Sequence, residues 1–130
     1  MHKSFLLIAA VLGAISVALG AFGAHGLKKI LPPESILTFE TGVRYQFYHT
    51  FALLAVAILF DKVQGRFLLW SGYSFLAGII LFSGSLYALA FIQESGNVGL
   101  RKLGIITPFG GLFFIAGWLL LAAAVWKNNP

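Results

Sequence analysis

No cysteine occurs anywhere in the chain. That excludes disulfides, thiolate metal sites and thiol catalysis together, and leaves the redox state of its compartment undetermined. Charge is almost as scarce: 10% of the 130 residues are charged, and only four are acidic. So little polar surface cannot coat a water-soluble globule of this size. With 59% hydrophobic residues and a mean hydropathy of +0.91, the composition predicts a membrane protein. The nine Lys and Arg leave a net charge of +5, but they sit in short gaps between apolar runs and not on one face or in one tract. That distribution suits membrane lipids as partners and argues against nucleic acid. A phosphate-binding glycine loop, a metalloprotease helix and a Gly-x-Ser-x-Gly elbow are also missing. No catalytic constellation and no cofactor are therefore expected.

What is present is four apolar runs, approximately 4–24, 45–60, 67–92 and 103–126. The first contains no ionisable side chain, and at about 1.5 Å rise per residue it covers roughly the 30 Å hydrocarbon thickness. It exceeds the usual apolar stretch of a cleaved leader, so a retained span is expected. The second run is shorter, but Pro32, Pro33 and Glu34 read as a helix start well upstream, in the headgroup region. Asp61, Lys62, Gln64, Gly65 and Arg66 make a tight connection to the third. Tyr45, Tyr48, Trp70, Tyr73 and Trp126 fall near predicted ends, where amphipathic rings favour the water boundary. Trp118 does not, and is expected inside the bundle or against lipid. The sequence thus predicts an all-α polytopic protein: one integral membrane domain, a four-transmembrane-helix bundle with an interfacial start to helix 2 and both termini on one side. Lys3, Lys62, Arg66 and Lys127 oppose Lys28, Lys29, Arg44, Arg101 and Lys102, so charge bias leaves the orientation undetermined.

Small residues recur at helical spacing. Ala9, Gly13, Ser16, Gly20 and Gly23 share one face of the first helix; Ser74, Gly78, Ser85 and Ala88 recur in the third, and Gly110, Gly117 and Ala124 in the fourth. In lipid, where the hydrophobic effect no longer separates helix from helix, close approach through such residues supplies much of the association energy. Ser83-Gly84-Ser85 reads as a further packing site, and Thr107-Pro108 as a helix start or kink. One of the stripes could instead serve a second copy or another membrane protein.

Gly20-Ala21-Phe22-Gly23-Ala24-His25-Gly26, Thr41-Gly42 with Tyr45-Gln46 and His49-Thr50, Phe82-Ser83-Gly84-Ser85-Leu86-Tyr87, and Thr107-Pro108 with Gly110-Gly111 and Ala116-Gly117-Trp118 together resemble the YgdD/YwdK type of small bacterial inner-membrane protein. That family is grouped as a domain of unknown function and is similar to a small mitochondrial transmembrane protein of animals. The resemblance implies four spans and a location in the bacterial inner or plasma membrane. It supplies no reaction and no catalytic residues.

The polar residues of the second helix form the one candidate site. Glu40 and Arg44 stand four apart with the acid first, the better order for a helical ion pair, and Tyr45 and His49 repeat the spacing. His49 is the only ionisable side chain clearly within a span, and such a group is a site hypothesis by default. His25 lies at the end of the first helix nearest the start of the second. His25, Glu40, Arg44, Tyr45, Gln46 and His49 are therefore expected to form one polar cluster near one membrane face. Two histidines could ligate haem or a metal, and Arg44 could hold a phosphate, lipid or quinone-type headgroup. The competing expectation is an ordinary polar helix end whose side chains snorkel to water. Coupled transport is disfavoured, because Glu34, Glu40, Asp61 and Glu94 all lie at or beyond span ends and only Glu40 is near enough to serve.

Overall fold

The computed structural model describes residues 1–93 and 102–128, and among these there is no strand. Glu94 and Arg101 lie outside the described residues. Four long helices follow one another: α1 over Lys3–Ala24, α2 over Pro33–Leu59, α3 over Arg66–Ile92 and α4 over Ile106–Lys127. The Ala- and Leu-rich α1 starts where His2 Nδ1 accepts from the Phe5 amide at 3.2 Å, and a 3-10 turn, Leu27–Lys29, follows it. Pro33 occupies the first position of α2 and Glu34 its first turn, both favoured at a helix N-terminus. Gly65, at φ 130°, takes a backbone conformation that side chains resist, and so lets the chain turn back into α3.

The helices run alternately up and down. At one end the Met1 amino group pairs with Asp61, and Asn128 bonds both the Gln64 amide and the Lys62 carbonyl. At the other, Ser35 and Thr38 of α2 meet Gln93 after α3. Both termini therefore share an end. A lower core gathers Phe5, Leu53, Val56, Leu68, Phe75 and Phe114; an upper one gathers Leu27, Ile36, Phe39, Val43 and Ala90.

Three of the four helical segments, Lys3–Lys29, Arg66–Ile92 and Lys102–Lys127, are long and apolar enough to cross a membrane. The second is not. The expected apolar run 45–60 is the later part of a 27-residue helix; Glu40 and Arg44 precede it, and Gln46, His49 and Thr50 lie within it. Length is ample there; composition is what falls short. The chain is an all-α membrane protein with at least these three membrane-capable helices.

Two antiparallel ladders hold the bundle. Between α1 and α2, Gly13 lies opposite Thr50, Ser16 opposite Gln46, Gly20 opposite Val43 and Gly23 opposite Phe39. Between α3 and α4, Ser71 and Phe75 meet Gly117, Gly78 meets Phe114, Gly110 meets Phe82 and Ser85 meets Thr107. The second ladder is the tighter. A methyl on Gly117 would lie 2.6 Å from the Phe75 ring, and one on Gly110 would overlap the Phe82 backbone. On α1 the same test leaves 3.1 Å at Gly23, 3.6 Å at Gly20 and 3.9 Å at Gly13. Gly84 has nothing within 4 Å, so the expectation that it packs against a neighbour is corrected. Successive helical residues point about 100° apart. Ser83 turns to α2 and Ser85 to α4, which leaves Gly84 facing outward.

Inside α3 one turn, Ile79–Ser83, is a π-helix. Such turns mark places where a side chain or neighbour intrudes on the ladder. Two intrusions meet here: Ser83 Oγ donates to the Gly42 carbonyl at 2.7 Å, and Gly110 presses on the Phe82 backbone.

Candidate functional site

α2 is the hub of the bundle's polar chemistry. Gln46, 3% exposed, stands between α1 and α3. Its Nε2 donates to Ser16 Oγ at 2.9 Å, and its Oε1 accepts from Tyr87 Oη at 2.6 Å. Ser16 in turn donates to the Leu12 carbonyl at 2.7 Å. One turn from Gln46, Gly42 makes room for the Tyr87 ring, since a methyl there would approach it to 2.8 Å. A chain of hydrogen bonds thus crosses three helices, and its acceptors and donors consume one another. In a medium without water an unmade bond would cost several kcal/mol, so closure of this kind is what permits a glutamine there.

His49 faces a different neighbour. Its Nδ1 lies 2.7 Å from the Tyr45 carbonyl and its Nε2 accepts from Trp118 Nε1 at 3.2 Å. The ring stacks on Phe114 with centroids 3.5 Å apart and planes 8° from parallel. That pattern assigns the proton to Nδ1 and uses both nitrogens. Neither is free for a metal while it holds.

The expected six-residue cluster is not assembled. His25 is exposed at the end of α1, and by the α1–α2 ladder it lies about 18 Å along the bundle axis from His49. Among the described residues Glu40 and Arg44 form no ion pair with each other. They instead line a groove of about 220 Å³ over Gly20 and Gly23, bounded by Phe39 and Val43. Tyr45 is partly exposed and packs on Phe82. Gln46 and His49, three residues apart, turn to separate neighbours. The cluster therefore divides into a buried hydrogen-bond chain, a buried stacked histidine, an outward groove and an exposed turn. Among the described residues no three of His, Asp and Glu come together as a metal would require.

Three participants were not picked out from the sequence as polar partners. Tyr87 and Ser16 complete the glutamine chain, and Thr107 pairs with Ser85 across α3 and α4 at 2.6 Å. Trp118, left between bundle and lipid, does both: its indole reaches His49 while half its surface stays exposed. One buried group is left over, for Thr50 Oγ1 has no hydrogen-bond partner among the described residues.

Comparison with known proteins finds a family model described as a protein of unknown function (DUF423) over residues 19–111. The chain is 42% identical over 126 residues to the UPF0382 membrane protein YwdK of Bacillus subtilis, covering 96% of this chain and 98% of that one. It is 45% identical over 129 residues to a UPF0382 membrane protein of Haemophilus influenzae, covering 99% and 98%. To the UPF0382 inner membrane protein YgdD of Escherichia coli K12 it is 42% identical over 122 residues, covering 93% and 88%. No solved structure matches.

Proposed function

Because the chain belongs to the DUF423 family of membrane proteins, we propose that it crosses the bilayer four times as a structural or accessory component and is not an enzyme. It is a multi-pass protein of the cell membrane. The observation that carries it is the closed chain Ser16–Gln46–Tyr87. A helix that turns its polar groups inward to partners on two neighbours needs no polar surroundings, so α2 can cross lipid despite its composition. Catalysis or coupled transport needs polar groups facing a substrate, whereas these face each other.

Single cysteines test the topology cleanly in a chain that has none. With α2 spanning, cysteines at His25 and Lys102 take a membrane-impermeant maleimide from one side, and cysteines at Lys62 and Lys127 from the other. Labelling of positions 25 and 62 from the same side would place α2 on the surface and overturn the four-span reading.

A second reading, a small-ligand binder or transporter for a lipid or quinone headgroup, is favoured by one observation: the Glu40 and Arg44 charges line an open groove without pairing to each other. Loss of a measured proteoliposome flux on Glu40→Gln would replace the packing-only reading with this one.

A further inference from the structure

At the end of the bundle that carries both termini, the seam between α3 and α4 opens into a cavity of about 290 Å³ lined by Gln64, Arg66, Phe67, Trp70 and Lys127. Directly along the seam lies a second groove of about 370 Å³, walled by Trp70, Tyr73, Ala77, Phe113 and Leu120. Trp70 borders both, so the two form one track. The end near the termini carries two cations and, among its lining residues, no carboxylate; the stretch beyond it is mostly apolar, with Tyr73 and Ser74 as its polar side chains. From Arg66 to Ala77 the track runs about 16 Å at helical rise, close to one leaflet of a roughly 30 Å hydrocarbon core.

We propose that this track holds an anionic phospholipid, with its phosphate between Arg66 and Lys127 and an acyl chain lying along the α3–α4 seam. The charge favours that occupant over a net-neutral one: among the described residues Arg66 has no ion pair, and Lys127 Nζ is engaged only with the Phe67 ring, 4.3 Å from its centroid. A ring contact of that kind orients the ammonium without neutralising it. The rim is fixed in advance, because Asn128 ties the end of α4 to Lys62 and Gln64 of the α2–α3 connection. Trp70, 51% exposed, stands where an indole meets the headgroup level. Nothing here requires α2 to span, since α3 and α4 are themselves membrane-capable.

The test uses the full chain with Trp118→Phe and Trp126→Phe, leaving Trp70 as the only indole, in bilayers doped with brominated phosphatidylglycerol or brominated phosphatidylcholine. Quenching of Trp70 should show a clear preference for phosphatidylglycerol. Each cation near a membrane surface contributes about a fivefold preference for anionic lipid, so Arg66→Gln and Lys127→Gln should each reduce it about fivefold. The charge-conserving pair Arg66→Lys with Lys127→Arg should keep it, which separates loss of charge from loss of fold. Equal quenching by both lipids, or a preference that survives the double glutamine variant, overturns the proposal. So does Ser74→Cys if it cross-links two copies in phosphatidylglycerol bilayers while Trp70 is shielded from both lipids, because a second copy then covers the seam.

Discussion

The amide of Gln46 donates to the hydroxyl of Ser16 at 2.9 Å, joining α1 to α2 at a level where both side chains are buried and Tyr87 closes the chain from α3. The bond decides what kind of helix α2 is. Deprived of it, a glutamine in the middle of the bundle would be a polar group in hydrocarbon; supplied with it, the same residue fixes the register of three helices.

Replacing Gln46 by Leu removes the central member and takes from the Tyr87 hydroxyl the amide oxygen it donates to. Interhelical hydrogen bonds in membrane proteins average about 0.6 kcal/mol and reach about 1.7. A double-mutant cycle of Gln46→Leu with Tyr87→Phe, followed by reversible unfolding in mixed micelles, is expected to give a coupling in that range. A coupling indistinguishable from zero would mean that the pair adds nothing to the fold.

Two glycines in the same bundle should behave oppositely. At Gly110 an added methyl meets backbone atoms of Phe82, which cannot swing aside as a ring would. Gly110→Ala should therefore cost about 1–3 kcal/mol through overpacking of α3 against α4. Gly84 has nothing within 4 Å, and Gly84→Ala should be neutral or slightly stabilising. Equal melting shifts for the two would show that the α3–α4 contact is looser than its geometry.

The α1 face was legible because Gly13, Ser16, Gly20 and Gly23 repeat at the period of one helix, and a single period suffices to find a face. The helix ends were legible too, since charge and Pro33 bound the runs. What could not be read was which neighbour each face meets. Gln46 and His49 differ by only three residues, yet one lies between α1 and α3 and the other against α4. With four similarly apolar helices nothing in the sequence orders them around α2, so the sequence alone groups six polar residues that the fold separates. The π turn at Ile79–Ser83 was invisible for the same reason, because it answers to Gly42 and Gly110 on other helices.

Thr50 is buried beside α1, near Gly13, with its hydroxyl unpartnered among the described residues. A buried hydroxyl without a bond costs about 1–3 kcal/mol, whereas valine fills nearly the same shape without that cost. Thr50→Val is expected to raise the unfolding midpoint by an amount equivalent to about 1 kcal/mol. A lowered midpoint would show that the hydroxyl has a partner, and would direct attention to what supplies it.

Both ring nitrogens of His49 are occupied, one by the Tyr45 carbonyl and the other by the Trp118 indole. In a His2→Gln, His25→Gln background the remaining histidine should react slowly with diethyl pyrocarbonate. Trp118→Phe keeps an aromatic ring at the bundle surface but removes the N–H, so Nε2 becomes available. Loss of one hydrogen bond of about 1 kcal/mol should raise the reaction rate about fivefold. Neither protein should show a haem absorption band when purified from haem-replete cells. A band that disappears on His49→Gln would mean that the imidazole leaves Trp118 for a metal, and the stacked, doubly bonded arrangement would then be only one of its states.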